Sequence, residues 1–294
     1  TWAPMVPAAD STVTVNTTWS GAVVLDGNVT IDQGATLTLS PGVTVDAKTY
    51  SITVDGTLIA DQSSFFSSTP PLTQGSHDQG LWVGIVVSPT GSATLTDVTI
   101  SNASAALRIE GSLNADGLDL FDAYRGIAVH GGSADVDDLS AHRMDYEAIY
   151  LESGALALND ATTVDTAVGL DSSGTASVTN LAISQTGIGV RASAGVLDID
   201  GLDLTDAAVG IAANSGAGIN ISNVNGENLS IAIDAANTDN LSIHDAVQFS
   251  RSWAGAAARR PLRSAVRRSR SEPATRQAPG ASLRAAARAR LQIL

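Results

Sequence analysis

Between Arg108 and Glu152 the sequence gathers side chains that are sparse in the rest of residues 1–250. Arg108, Arg125 and Arg143 lie there with Tyr124, Tyr146 and Tyr150, with His130 and His142, and with Glu110, Glu147 and Glu152. Flat tyrosine faces suit pyranose rings, and guanidinium and carboxylate groups suit sugar hydroxyls or the carboxylate of a uronate. The same set could serve a lyase, with His130 or a tyrosine abstracting a proton and an arginine neutralising the uronate. A third reading is a polar surface ladder whose Arg125–Glu147 ion pair is worth under about 1 kcal/mol. The ligand-binding candidates are therefore Arg108, Glu110, Tyr124, Arg125, His130, Arg143, Tyr146, Glu147, Tyr150 and Glu152. No residue is assigned as catalytic and none as a metal ligand.

These residues sit inside a pattern of about 21 residues that recurs from Ser92 to Ser250. One apolar column runs Leu95, Ala115, Val136, Leu158, Val178, Ile199, Ile221 and Ile243. A second lies three residues further on, at Val98, Leu118, Leu139, Ala161, Leu181, Leu202, Val224 and Ala246. Just before each member of that second column stands Asp97, Gly117, Asp138, Asp160, Asn180, Gly201, Asn223 or Asp245. Asp, Asn and Gly enter the left-handed backbone region at least cost, so these positions read as tight corners. A third apolar pair follows in each unit: Leu107/Ile109, Ile127/Val129, Ile149/Leu151, Val168/Leu170, Ile188/Val190, Ile211/Ala213 and Ile231/Ile233. Glycine often closes the unit, as at Gly111, Gly132, Gly154, Gly174 and Gly195.

The apolar and polar residues alternate with strand periodicity, and no window sustains a helical stripe. A unit of this kind cannot bury its apolar face alone, so successive units must stack. Three short strands per repeat and a tight corner describe a coil of an all-β parallel β-helix, with about 10 coils over residues 11–250. Stacking at about 4.8 Å makes eight coils a rod on the order of 40 Å long. Aligning the third strands then places Glu110, His130, Glu152, Asp171 and Arg191 in one outward ladder. Arg108, Ala128 and Tyr150 fall in the neighbouring ladder. Tyr124 is expected to stack on Tyr146, and Arg125 on Glu147.

Residues 1–10 (TWAPMVPAAD) read as a linker, and from Ser11 the strands are short, β-branched and closely spaced. The run NVTIDQGATLTLSPGVTVDAKTYSITVDGTLIAD, followed by FFSS and GLWVGIVVSPTGSATLTDVTISNA, resembles the parallel β-helix repeat region of secreted and cell-surface bacterial and archaeal proteins. The likeness covers residues 28 to about 250. It implies a right-handed coil, a secreted or cell-surface location, and a role either as an adhesin-like module or as a carbohydrate-active enzyme. β-Helix pectinases carry paired aspartates with a Gly-His-Gly; Asp137-Asp138 and His130-Gly131 echo fragments of that set, but Gly-His-Gly is absent. The expectation is a non-enzymatic surface module, an adhesin-like scaffold binding glycan. The alternative is a polysaccharide lyase or glycoside hydrolase acting on an acidic polysaccharide.

Charge divides the chain sharply. Residues 1–250 hold 29 acidic against five basic side chains, a balance of −24, whereas residues 251–294 hold 11 arginines and the single Glu272. An acidic body repels phosphate backbones, so nucleic acid is not an expected partner of residues 11–250. The chain contains no cysteine, so thiolate metal sites and disulfides do not arise. No apolar run is long enough to span a membrane, and the rod is expected to be a monomer. No cofactor is expected; calcium finds no motif, although Asp116, Asp137 and Asp200 share an outward column. Between Phe66 and Trp82 the repeat gives way to a loop whose chemistry is His77-Asp78. The 251–294 segment, 23 of whose 44 residues are alanine or arginine, reads as a disordered or loosely helical tail, or as an out-of-frame artefact.

Overall fold

The computed structural model describes residues 10–69, 82–214, 216–235 and 241–250. The expected loop around His77 and the Arg/Ala-rich tail lie outside these residues. The described chain winds into a parallel β-solenoid of about 11 turns with no helix, one more turn than the repeat count suggests. Each coil pairs in register with the coil before and after it. Ala115, for example, is paired with Leu95 on one side and Val136 on the other.

The reason the chain turns so regularly is visible in its backbone angles. All eight residues before the second apolar column lie in the left-handed region, with φ from 50° at Asp97 to 83° at Gly201. Asp and Asn tolerate this conformation because their short side chains hydrogen-bond locally, and glycine tolerates it because it has no Cβ. At Gly117 the requirement is also steric: a Cβ there would come within 2.6 Å of Asp97 Oδ1 on the preceding coil.

A second corner recurs in every regular coil and has a far weaker sequence signature. Asn102, Asp122, Arg143, Asp165, Gln185, Asp206 and Asn228 all have φ between 52° and 60°. Arginine and glutamine gain nothing intrinsic from that region, which is why the column does not stand out by residue type. Arg143 is held in it by the chain on either side and by a forked ion pair to Asp122, the equivalent residue one coil earlier. The bonds run from Nε to Oδ1 at 2.6 Å and from an Nη nitrogen to Oδ2 at 2.9 Å. At the third corner the glycines stack directly. A Cβ on Gly132 would lie 2.3 Å from the carbonyl oxygen of Gly111, and one on Gly154 2.1 Å from that of Gly132.

Inside the rod, the ladders of Val, Ile, Leu and Ala form one continuous core from Trp19 to Ile233. The first two apolar columns pair as the sequence implies, with one exception. Val224 is opposite Val247 rather than Ala246, because the last coil carries a register shift between Ser222 and Val224. The third column is displaced over more of its length. Val190 pairs with Ile211 and Ile188 with Val209, so the inward pair of that coil is Val190/Ala192. One coil later it is Ile211/Ala213 and then Ile233/Ala235, not Ile231/Ile233. One coil earlier it is Leu170/Ser172, since Leu170 pairs with Val190 and Ser172 with Ala192. A buried serine breaks the apolar pattern there, and matching hydrophobic residues alone shifts the alignment by two.

The larger aromatic residues sit where the early coils are irregular. Trp82 is fully buried and donates its indole N–H to the Ser101 carbonyl at 2.8 Å, which satisfies its one polar group. Phe65 is equally buried. These two large side chains occupy the core on either side of the interruption at residues 70–81.

Candidate functional site

Correcting the third-strand register rearranges the predicted ladders. Ser173 donates its N–H to the Leu151 carbonyl, which sets Ser172 beside Leu151 and Asp171 beside Tyr150. The ladder that begins with Glu110, His130 and Glu152 therefore continues into Ser173 and Ser193. Asp171 and Arg191 belong instead to the neighbouring ladder with Arg108, Ala128 and Tyr150. This two-residue correction brings the fourth arginine of the body into the site.

The centre of the cluster is Glu147, which is only 1% exposed. Arg125 donates from Nε to Glu147 Oε2 at 2.6 Å, and Arg191 reaches Glu147 Oε1 from two coils away at 3.2 Å. Arg191 also binds Asp171 Oδ2 at 2.6 Å, so two guanidinium groups and two carboxylates are linked across four coils. The expectation of a surface Arg125–Glu147 pair is thus half right. The partners are correct, but the carboxylate is buried, where an ion pair matters for what its loss exposes rather than for its net worth.

The electrostatics follow from this packing. Burial acts against the charge of Arg125, and the hydrogen bond and charge of Glu147 outweigh it, leaving its pKa raised. The hydrogen bond to Asp171 raises Arg191 further, against burial, with added support from the Asp171 charge and the Tyr146 hydroxyl. Both arginines are fixed cations. Burial pushes the Tyr150 hydroxyl up, and the Glu152 charge adds to it, while Arg125 opposes. Tyr150 is therefore a neutral hydrogen-bonding group and an unpromising general base at neutral pH.

Aromatic rings enclose the Arg125 guanidinium. Its central carbon lies 4.7 Å from the Tyr150 ring centre and 5.5 Å from those of Tyr124 and Tyr146. Tyr124 and Tyr146 stack as expected, with ring centres 5.6 Å apart and planes 19° from parallel. Tyr124 is at the outer end of this stack and is 41% exposed.

The remaining candidates are also paired within the protein. Arg108 bonds Glu110 at 2.7 Å, and His130 bonds Glu152 and meets Tyr150 edge-on at 5.7 Å. Arg143 points toward the second corner, where the Asp122 hydrogen bond raises its pKa. There it also contacts His142, which stacks on Phe121 at 5.2 Å and faces Asp119 at 3.3 Å. The structure thus brings Tyr124, Arg125, Tyr146, Glu147 and Tyr150 together with Asp171 and Arg191. Arg143 belongs to a separate corner cluster, and the Arg108–Glu110 and His130–Glu152 pairs line the third strand.

Asp171 and Arg191 lay in the wrong ladder by sequence, and Asp122 was not a candidate. A signal for all three existed in charge alternation between coils: Asp122 with Arg143, and Asp171 with Arg191. The outward carboxylate column behaves similarly. Asn159 donates to Asp137 Oδ1 at 2.8 Å, and Ser222 and Asn223 donate to Asp200 Oδ1 at 2.6 and 2.7 Å. Among the described residues, no group of three or more His, Asp and Glu side chains is arranged to hold a metal ion.

An open trough of about 640 Å³ runs along the third corner, lined by Pro89, Thr90, Glu110, Gly111, Gly132 and Gly154 among others. Its lining residues are mostly small, and Glu110 is the one candidate residue among them.

No helix among the described residues is long and apolar enough to cross a membrane. No family model, no curated protein and no solved structure matches the chain.

Proposed function

We propose that this chain is a non-enzymatic β-solenoid module of a secreted or cell-surface protein, and that its Arg108–Glu152 face binds glycan. The observation that carries this reading is the state of the charges. Arg108, Arg125 and Arg191 each have a carboxylate partner within 3 Å, as does Arg143 in its separate corner cluster, so the face is an internally neutralised platform. A lyase or hydrolase needs an acid or base free to exchange a proton with substrate, and a cation free to meet a uronate. Here the arginines are committed, and Tyr150 is held neutral. What the platform offers outward is aromatic area at Tyr124, stiffened by Tyr146 and Arg125.

The test is retention of the full chain on immobilised polysaccharides, run beside an absorbance assay for unsaturated uronate and a reducing-end assay. Binding without product release supports the module. Turnover of any acidic polysaccharide would install the enzyme reading in its place.

A further inference from the structure

The site reading rests on a surface, and one part of that surface has the shape of a slot. Val83, Ser104 and Tyr124 occupy one corner position on three successive coils. Ala105 donates to the Val83 carbonyl at 3.3 Å, and Arg125 donates to the Ser104 carbonyl at 3.1 Å, which fixes the alignment. Val83 is 49% exposed, Ser104 is exposed, and Tyr124 is exposed on the same corner. Two large apolar side chains therefore flank a small hydroxyl one coil away from each.

We propose that this slot holds one pyranose ring of a neutral polysaccharide, edge inward, between Val83 and Tyr124. The proposal deepens the glycan-binding reading and depends on it. Two coil steps separate the walls by about 10 Å from chain to chain. A ring in van der Waals contact on both faces needs about 7–8 Å between the layers that hold it. One face of Tyr124 is taken by Tyr146, and among the described residues the coil on its other side presents only Ser104 there. Sugar C–H groups suit such a face, and the Ser104 hydroxyl at the floor can both donate to and accept from a ring hydroxyl.

Charge selects the class of sugar. Arg108 and Arg125, which follow Ser104 and Tyr124 on their coils, are bonded to Glu110 and Glu147. The whole of residues 1–250 carries a balance of −24. A uronate polymer would meet repulsion with no uncommitted arginine among the described residues at the slot to offset it, whereas a neutral polymer loses nothing to that field.

The experiment uses the full chain, the variants S104Y and Y124A, and a panel holding a β-glucan, a galactomannan, polygalacturonate and alginate. Tyr at position 104 continues the Tyr124–Tyr146 stack and fills the slot while leaving the walls in place. The expected result is binding to a neutral polymer that each variant weakens about tenfold or more, with melting midpoints unchanged. S104Y keeps the test decisive if Y124A fails to fold. Unchanged neutral-glycan affinity in S104Y overturns the slot and leaves glycan binding elsewhere on the face. Binding confined to polygalacturonate or alginate overturns the neutral class. Binding to no member of the panel overturns the glycan reading itself, and the slot with it.

Discussion

Glu147 accepts from Arg125 at 2.6 Å and from Arg191, 44 residues later, at 3.2 Å, so one buried carboxylate ties together coils that do not touch through their backbones. Its burial makes the two directions of disruption unequal. Arg125→Met leaves Glu147 buried with Arg191 as its remaining cation, and should cost about 3 kcal/mol. Glu147→Gln keeps the shape and leaves the half-buried arginines able to reach solvent, so it should cost less. Urea melts of both variants check this; equal costs would mean that Glu147 is hydrated rather than enclosed.

The core is tested most cleanly by a pair of residues from one repeat. Leu181 is buried in the second column, and Leu181→Ala should destabilise by about 2–5 kcal/mol. Ile188 precedes the inward pair Val190/Ala192 and is only half-buried. Ile188→Ala should therefore cost about 1 kcal/mol, well below Leu181→Ala. Comparable losses would restore the uncorrected register.

Corner geometry gives substitutions of opposite sign. Gln185 has φ of 53° without the short side chain that hydrogen-bonds locally in this region, so Gln185→Asn should raise stability by up to about 1 kcal/mol. Gly132→Ala drives a Cβ to 2.3 Å from the Gly111 carbonyl and should lower it by about 1–3 kcal/mol. Thermal melts of the two single variants read the contrast directly.

Alkaline pH should act through Tyr150. Its folded pKa is raised, first by burial and then by Glu152, so the folded chain holds that proton more tightly than the unfolded chain does. The resulting stability is complete below about pH 10, the unfolded value, and is lost as pH rises through the folded one. A tyrosinate absorbance titration should show one late-titrating group that is absent in Tyr150→Phe.

At the acid end, hydrogen bonds from Ser222 and then Asn223 hold Asp200 below the ordinary aspartate value. The sign is reversed: stability from this group is present above the unfolded pKa near 3.9 and is lost as pH falls through the lower, folded value. An NMR titration of the Asp200 carboxyl in wild type and in the double change S222A/N223A should show the value moving back up. An unmoved value would place the two donors elsewhere in solution.

The amino-acid sequence by itself determined the solenoid. Apolar columns such as Leu95–Ala115–Val136 and the Asp, Asn and Gly corners are set by residue type, because strand burial and left-handed φ each admit a short list of side chains. The gathering of Tyr124, Arg125, Tyr146, Glu147 and Tyr150 was legible for the same reason, since equivalent positions on adjacent coils must be neighbours. What only the tertiary structure decided was register and burial. Ser172 occupies an inward site that its polarity conceals, and that one exchange moves Asp171 and Arg191 into the cluster. The depth of Glu147, the corner at Arg143 and the gap over Ser104 depend on how each coil lies on the next. Contacts between coils about 20 residues apart set them, and no local pattern encodes those contacts.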